Sequence, residues 1–229
     1  MDDSPVMSVP FRLYCRTAML LPATLLLHAG AHTGRFAIPT PTDTLWLIGP
    51  TPSSDAVHRT DSEASLRARF GAQQVRRARI EVGEGETVPG VILFPDDSTR
   101  RLAVEWRDSL ARRTPARVTV NGAGSRWMVF PGVHIGTTMR ELERLNGGPF
   151  ALTGFGWDYG GMVTSWRKGR LERVWQAARG PSATRIRFDA QPTKGVSLDA
   201  VSGEDERRSD HPVMRRLDPR IVEISVAPR

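Results

Sequence analysis

Of 229 residues one is cysteine, Cys15, and two are tyrosine. A single thiol forms no internal disulfide and supplies no multi-cysteine zinc site, so neither kind of staple holds the fold. Lysine is almost missing: among 32 cationic residues only Lys168 and Lys194 are not arginine. The longest apolar run, residues 18–27, is about half the length of a membrane span. Of the five histidines, His28, directly after the apolar run, and His32 stand at H-x-x-x-H spacing but without the glutamate of an H-E-x-x-H site, the others are scattered singly, and no G-x-S-x-G turn is present. The usual marks of zinc hydrolases and of the nucleophile elbow are therefore absent. What is present suffices for a core: 39% of the residues are hydrophobic and 25% charged. At about 150 residues per domain, the length fits one large domain or two small ones.

Thirty-two basic residues against 25 acidic ones leave a net charge of +7. The arginines are interleaved with acids, as in Arg170-Leu171-Glu172-Arg173 and Glu204-Asp205-Glu206-Arg207-Arg208. Arg76, Arg77 and Arg79 stand near Glu81, Glu84 and Glu86, so opposite fields cancel locally. This reads as a solvated surface, with no nucleic-acid partner expected. The remaining positive balance favours acidic partners, such as anionic lipid or an acidic protein surface, through long-range steering.

Residues 1–31 read as a secretory signal peptide. Arg12 and Arg16 form the basic region, residues 18–27 the apolar region, and Ala29-Gly30-Ala31 the small-x-small cleavage pattern. Cys15 precedes the apolar run and leaves with it. The expected product resides in the periplasm or is secreted, without a membrane span. Residues 32–59, with Pro39, Pro41, Pro50 and Pro52, read as an extended lead-in, in which Leu45-Trp46-Leu47-Ile48 is a first strand.

One pattern then occurs twice. Thr60-Asp61-Ser62-Glu63 reads as a capping box, Leu66 and Phe70 follow at i, i+4, and Gly71 closes the helix. Thr138-Met139-Arg140-Glu141 repeats the box, Leu142 and Leu145 supply the apolar side, and Asn146-Gly147-Gly148-Pro149 ends it. Alternating residues follow each helix. After the first come Ala78/Ile80/Val82, residues 91–94, Leu102/Val104/Trp106 and Val118/Val120. After the second come Leu152/Phe155/Trp157, residues 162–166, Leu171/Val174/Trp175 and Thr184/Ile186/Phe188. The spacing predicts an α+β fold of two helix-plus-antiparallel-sheet repeats, residues 60–130 and 131–190, with short helices packed on one face of the sheet. Residues 191–229 form a tail: a mobile loop over 194–210, a helix start at Ser209-Asp210-His211-Pro212 and a strand at Val222/Ile224/Val226.

The run from Ile135 through Thr138, Glu141, Leu142 and Leu145 to Gly147-Gly148-Pro149 resembles the helix-start signature of small outer-membrane-assembly lipoproteins and of β-lactamase inhibitory protein-like repeats. That resemblance covers about 15 residues and does not extend to a lipid-anchoring cysteine. It implies short helices on one sheet face, protein binding on the other, and no catalysis.

The densest chemical feature is Phe155-Gly156-Trp157-Asp158-Tyr159-Gly160-Gly161 with Trp166. Trp and Tyr anchor binding surfaces, and the same residues equally suit a core and a hairpin. As a surface, Trp157, Tyr159 and Trp166 would be the patch, with Asp158 and Arg170 as its polar rim. Glu84 and Glu86 flank a glycine in a turn, where paired carboxylates could do acid–base work, and are read instead as solvated surface. The expectation is a non-catalytic exported protein that binds a protein partner at the cell envelope, without cofactor or metal. A binder of cell-wall glycan or a small ligand, and less so a small hydrolase, are the alternatives.

Overall fold

The computed structural model describes residues 46–48, 56–179 and 184–228, all within the unit Gly34–Arg229. The expected signal peptide and most of the lead-in lie outside them. The first helix, α1 (Glu63–Phe70), is followed by a 3-10 turn at Ala72–Gln74 and by strands β1 (Val75–Gly83), β2 (Glu86–Leu93), β3 (Leu102–Asp108) and β4 (Arg113–Asn121). Two short strands, β5 (Met128–Val129) and β6 (Val133–His134), lead to helix α2 (Met139–Asn146). Then come β7 (Ala151–Thr153), β8 (Val163–Ser165), α3 (Arg170–Arg179), β9 (Thr184–Asp189), β10 (Glu206–Arg208), α4 (Pro212–Leu217) and β11 (Arg220–Val226). The architecture is α+β, with antiparallel sheets and a few short helices.

The main sheet has six strands in the order β1-β2-β3-β4-β11-β9, each pair antiparallel. It therefore runs across the boundaries expected at residues 130 and 190, because β11 inserts between β4 and β9. Alternation gives this sheet two unlike faces. Leu102, Val104, Val118, Val120, Ile186, Phe188, Ile224 and Val226 are buried on one. The cross-strand partners Glu105 and Arg117, Thr119 and Ser225, and Arg187 and Glu223 share the other. There the Thr119 and Ser225 hydroxyls are 2.9 Å apart, and Arg187 donates to Glu223 at 3.2 Å. Burial pushes the Glu105 carboxyl above its ordinary range.

Helices of six to ten residues are unstable alone; here each sets a buried side chain into the common core. Leu66 of α1, Met139 and Leu142 of α2, Leu171 and Trp175 of α3 and Met214 of α4 join the apolar sheet face in one cluster. A fully buried leucine contributes about 2 kcal/mol. No helix among the described residues is long and apolar enough to cross a membrane.

Helix α2 starts as its sequence indicates. The Glu141 N–H donates to Thr138 Oγ1 at 3.2 Å, and Thr138 N–H to Glu141 Oε2 at 2.8 Å, which holds this carboxyl below its ordinary range. Helix α1 does not start at Thr60. Its cap is Ser62, with Ser65 as the reciprocal member at 2.9 and 3.1 Å. Asp61 is drawn instead to Ser65 and Arg69, so the box sits two residues later than Thr60 would place it.

Two further expectations are corrected. Leu171/Val174/Trp175 stands on helix α3: Leu171 and Trp175 are one helical turn apart, both buried, and Glu172 accepts the Lys168 N–H at 2.6 Å ahead of the helix. Residues 194–210 are not simply a loop. Val201 is buried in a 3-10 turn, and β10 pairs with β7 in a second sheet of order β10-β7-β8. The expected lead-in strand is reduced, within the described residues, to a single bridge of Leu47 to Met128.

Candidate functional site: an arginine-lined cleft

The start of α1 is stitched to the start of β4. The Glu63 N–H donates to the Arg112 carbonyl and the Thr114 N–H to the Asp61 carbonyl, each at 2.9 Å, and Ser62 bridges to Arg113. The β3–β4 turn is tightened by the Ala111 N–H, which donates to Asp108 Oδ1 at 2.9 Å. Arg112 is left-handed, with φ of 49°, a conformation costing a non-glycine residue about 1 kcal/mol. The stitching holds Arg112 and Arg113 beside the first turn of α1, and Arg77 reaches the same place from β1.

These side chains surround a cleft of about 550 Å³ lined by Arg67, Arg77, Arg112, Arg113 and Glu63, with Thr60, Ser62, Ala64 and Ala111 between them. Glu63 is the hub, its side chain 8% exposed. Its Oε1 accepts from Arg67 Nε at 2.9 Å and from Arg77 Nε at 2.9 Å; its Oε2 accepts from Arg77 Nε at 3.0 Å and lies 3.5 Å from Arg112 Nε. Burial pushes this carboxyl up, and the hydrogen bonds from Arg77 and Arg67 outweigh burial, leaving it below its ordinary value. It stays ionised at neutral pH.

All three arginines approach Glu63 by their Nε edge. The Nη atoms of Arg77 and Arg112, and the whole guanidinium of Arg113, donate to no other described residue. Four guanidinium groups face one carboxylate, a local surplus of three positive charges. The positive end of α1 lies at the same place and adds to it. No aromatic or long aliphatic side chain lines the cleft, so it is built for charge and for hydrogen bonding.

The residues singled out in the sequence fall in two settings. Trp157, Asp158 and Tyr159 stand together in the turn between β7 and β8. Trp157 is half-buried, its Nε1 donates to the Gly154 carbonyl at 3.0 Å, and its ring meets that of Tyr159 edge-on at 5.5 Å. Tyr159 is half-buried against the β1–β2 turn, where a Cβ on Gly83 would lie 2.7 Å from its hydroxyl. Asp158 is exposed. Trp166 belongs to the core, packed edge-on against Trp175 at 4.9 Å, and Arg170 lies half-buried over Gly147 at the end of α2. The exposed large hydrophobic side chains among the described residues are Val82 and Leu110. Among the described residues no three His, Cys, Asp or Glu side chains gather as metal ligands.

Sequence reasoning missed the cleft. Glu63 reads as part of a cap and Arg77 as one of a locally cancelled run, while Arg112-Arg113 is one doublet in an arginine-rich chain. The doublet beside a turn and the glutamate after a cap are each ordinary; only the fold joins them. Compared with protein-family models, curated proteins and solved structures, the chain matches none.

Proposed function

We infer that the protein is an exported, non-catalytic binding protein whose ligand is anionic and docks in the arginine cleft. The observation that carries this reading is the surplus: three guanidinium groups offer unused Nη donors around one ionised, buried glutamate. Fork-shaped guanidinium groups bind oxyanions in pairs of charge-assisted hydrogen bonds. The net charge of +7 steers acidic partners toward the surface. An aromatic contact has less support, since Trp166 packs in the core and Trp157 and Tyr159 are half-buried. Export rests on the first 31 residues alone. A plan of two copies rests on the two capped eight-residue helices, α1 and α2; the strands after them differ in number and sheet.

Isothermal calorimetry with small anions, at low and high salt, tests the reading. Binding should be abolished in the double variant Arg112→Glu/Arg113→Glu and should weaken as salt rises. Undiminished binding in that variant would remove the cleft from the account.

A further inference from the structure

We propose that the ligand group is a doubly charged tetrahedral oxyanion, a phosphate monoester, and that Glu63 is the positioning residue that holds the arginine forks open for it. The proposal rests on the reading above and narrows it to a ligand class.

The argument begins with what Glu63 leaves unsatisfied. A single carboxylate is already in place, with both oxygens engaged by Nε donors of Arg67, Arg77 and Arg112. One planar monoanion therefore does not neutralise this cluster: three positive charges remain. The free donors are carried by separate elements, Arg77 on β1 and Arg112 and Arg113 at the β3–β4 turn, so they approach from more than one direction. A carboxylate presents two oxygens in one plane. A phosphate monoester presents three, with a charge between about −1.5 and −2 at neutral pH, and takes donors from several directions. The lining offers nothing to stack on or bury, which leaves an organic body outside and the charged group inside.

Glu63 adds preorganisation. A free arginine side chain must be ordered to bind, at about 0.5–1.5 kcal/mol for each side chain fixed. Here the Nε edges are fixed before the ligand arrives, and the Nη ends remain available. Two models of Glu63 then predict opposite signs. If the cleft acted only through its net field, removing a negative charge would tighten anion binding; if Glu63 orders the forks, removing it weakens binding.

The test is calorimetric titration of the full chain with inorganic phosphate and with acetate, and flotation with phosphatidylcholine vesicles with and without phosphatidic acid. The expected result is phosphate binding at least tenfold tighter than acetate binding, weakened about tenfold in Arg113→Gln, which leaves every bond to Glu63 in place. Binding confined to the phosphatidic-acid vesicles, and lost in Arg113→Gln, would support the same chemistry with a lipid headgroup as its source. Glu63→Gln should weaken phosphate binding several-fold although the cleft gains a positive charge, and thermal melting gives the folded fraction of that variant. A folded Glu63→Gln protein that binds phosphate as well or better overturns the positioning role. Acetate bound as tightly as phosphate overturns the ligand class and leaves an anion cleft standing. No anion bound in any arm overturns both.

Discussion

Two glutamates, Glu63 on α1 and Glu143 on α2, are each 6% exposed on eight-residue helices, yet they are surrounded differently. Glu143 accepts from the Ser209 hydroxyl at 2.6 Å and pairs with Arg215 at 2.7 Å, and Ser209 in turn accepts the Phe150 N–H at 3.0 Å. One carboxylate, one guanidinium and one hydroxyl close on themselves. Glu63 faces three guanidinium groups, and a fourth stands unpaired beside them. Burial alone does not mark a site; surplus charge over a buried charge does. The first arrangement locks α2 to the segment after β10, whereas the second leaves guanidinium donors of Arg77, Arg112 and Arg113 facing solvent.

The largest expected effect is on the closed side. Glu143→Ala leaves Arg215 and the Ser209 hydroxyl without their buried partner and should cost about 2 kcal/mol of stability, discounted because Arg215 is partly exposed. Chemical denaturation measures it, and phosphate affinity should stay at the wild-type value. A loss of affinity there would erase the contrast between the two glutamates. Next is Glu63→Gln, expected to lower both stability, by about 1 kcal/mol, and affinity. Stability falling alone would make Glu63 a second Glu143.

Acid titration separates them further. The folded-state carboxyl of Glu63 lies below its ordinary value of 4.5, so below that pH the unfolded chain binds more protons than the folded one. The stabilisation Glu63 gives is complete above about pH 4.5 and is lost as pH falls through the depressed folded value. Melting temperatures of the wild type should therefore fall more steeply with acid than those of Glu63→Gln, and parallel curves would contradict the pairing. A smaller effect belongs to the caps. Thr138→Ala and Ser62→Ala should each cost about 1 kcal/mol, and only the second, which begins the helix carrying Glu63, should also weaken anion binding. The smallest is Leu110→Ser: at 94% exposed, this side chain should change stability by less than about 0.5 kcal/mol and, beside Ala111 of the cleft, leave affinity unchanged.

How far the chain could be read in advance follows the same division between local and distant causes. The α2 cap was legible because Thr138 and Glu141 meet within one turn, and β1 to β4 because alternation is local. Helix α3 was not: Leu171, Val174 and Trp175 lie on one side of a helix, but a short segment beginning with an apolar pair of ambiguous spacing also reads as a strand. Residues 194–210 looked like a loop because their charges hid Val201, whose burial depends on distant packing, with the Phe155 N–H donating to its carbonyl at 2.8 Å. Of the aromatic residues, Trp166 reads in the sequence as either core or surface, and only the fold, which packs it against Phe150 and Trp175, decides for the core. The cleft lay beyond local reading altogether. Arg77 is 14 residues from Glu63, and Arg112 and Arg113 come from the far end of the next hairpin, brought in by the backbone pairing of residues 61–63 with β4.

The most direct measurement is an NMR titration of arginine side-chain Nε–Hε signals with inorganic phosphate. Signals of Arg77, Arg112 and Arg113 should move and saturate together while that of Arg215, closed on Glu143, stays in place. If Arg215 shifts as far as they do, or if none of the four responds, the surplus around Glu63 is not a binding site.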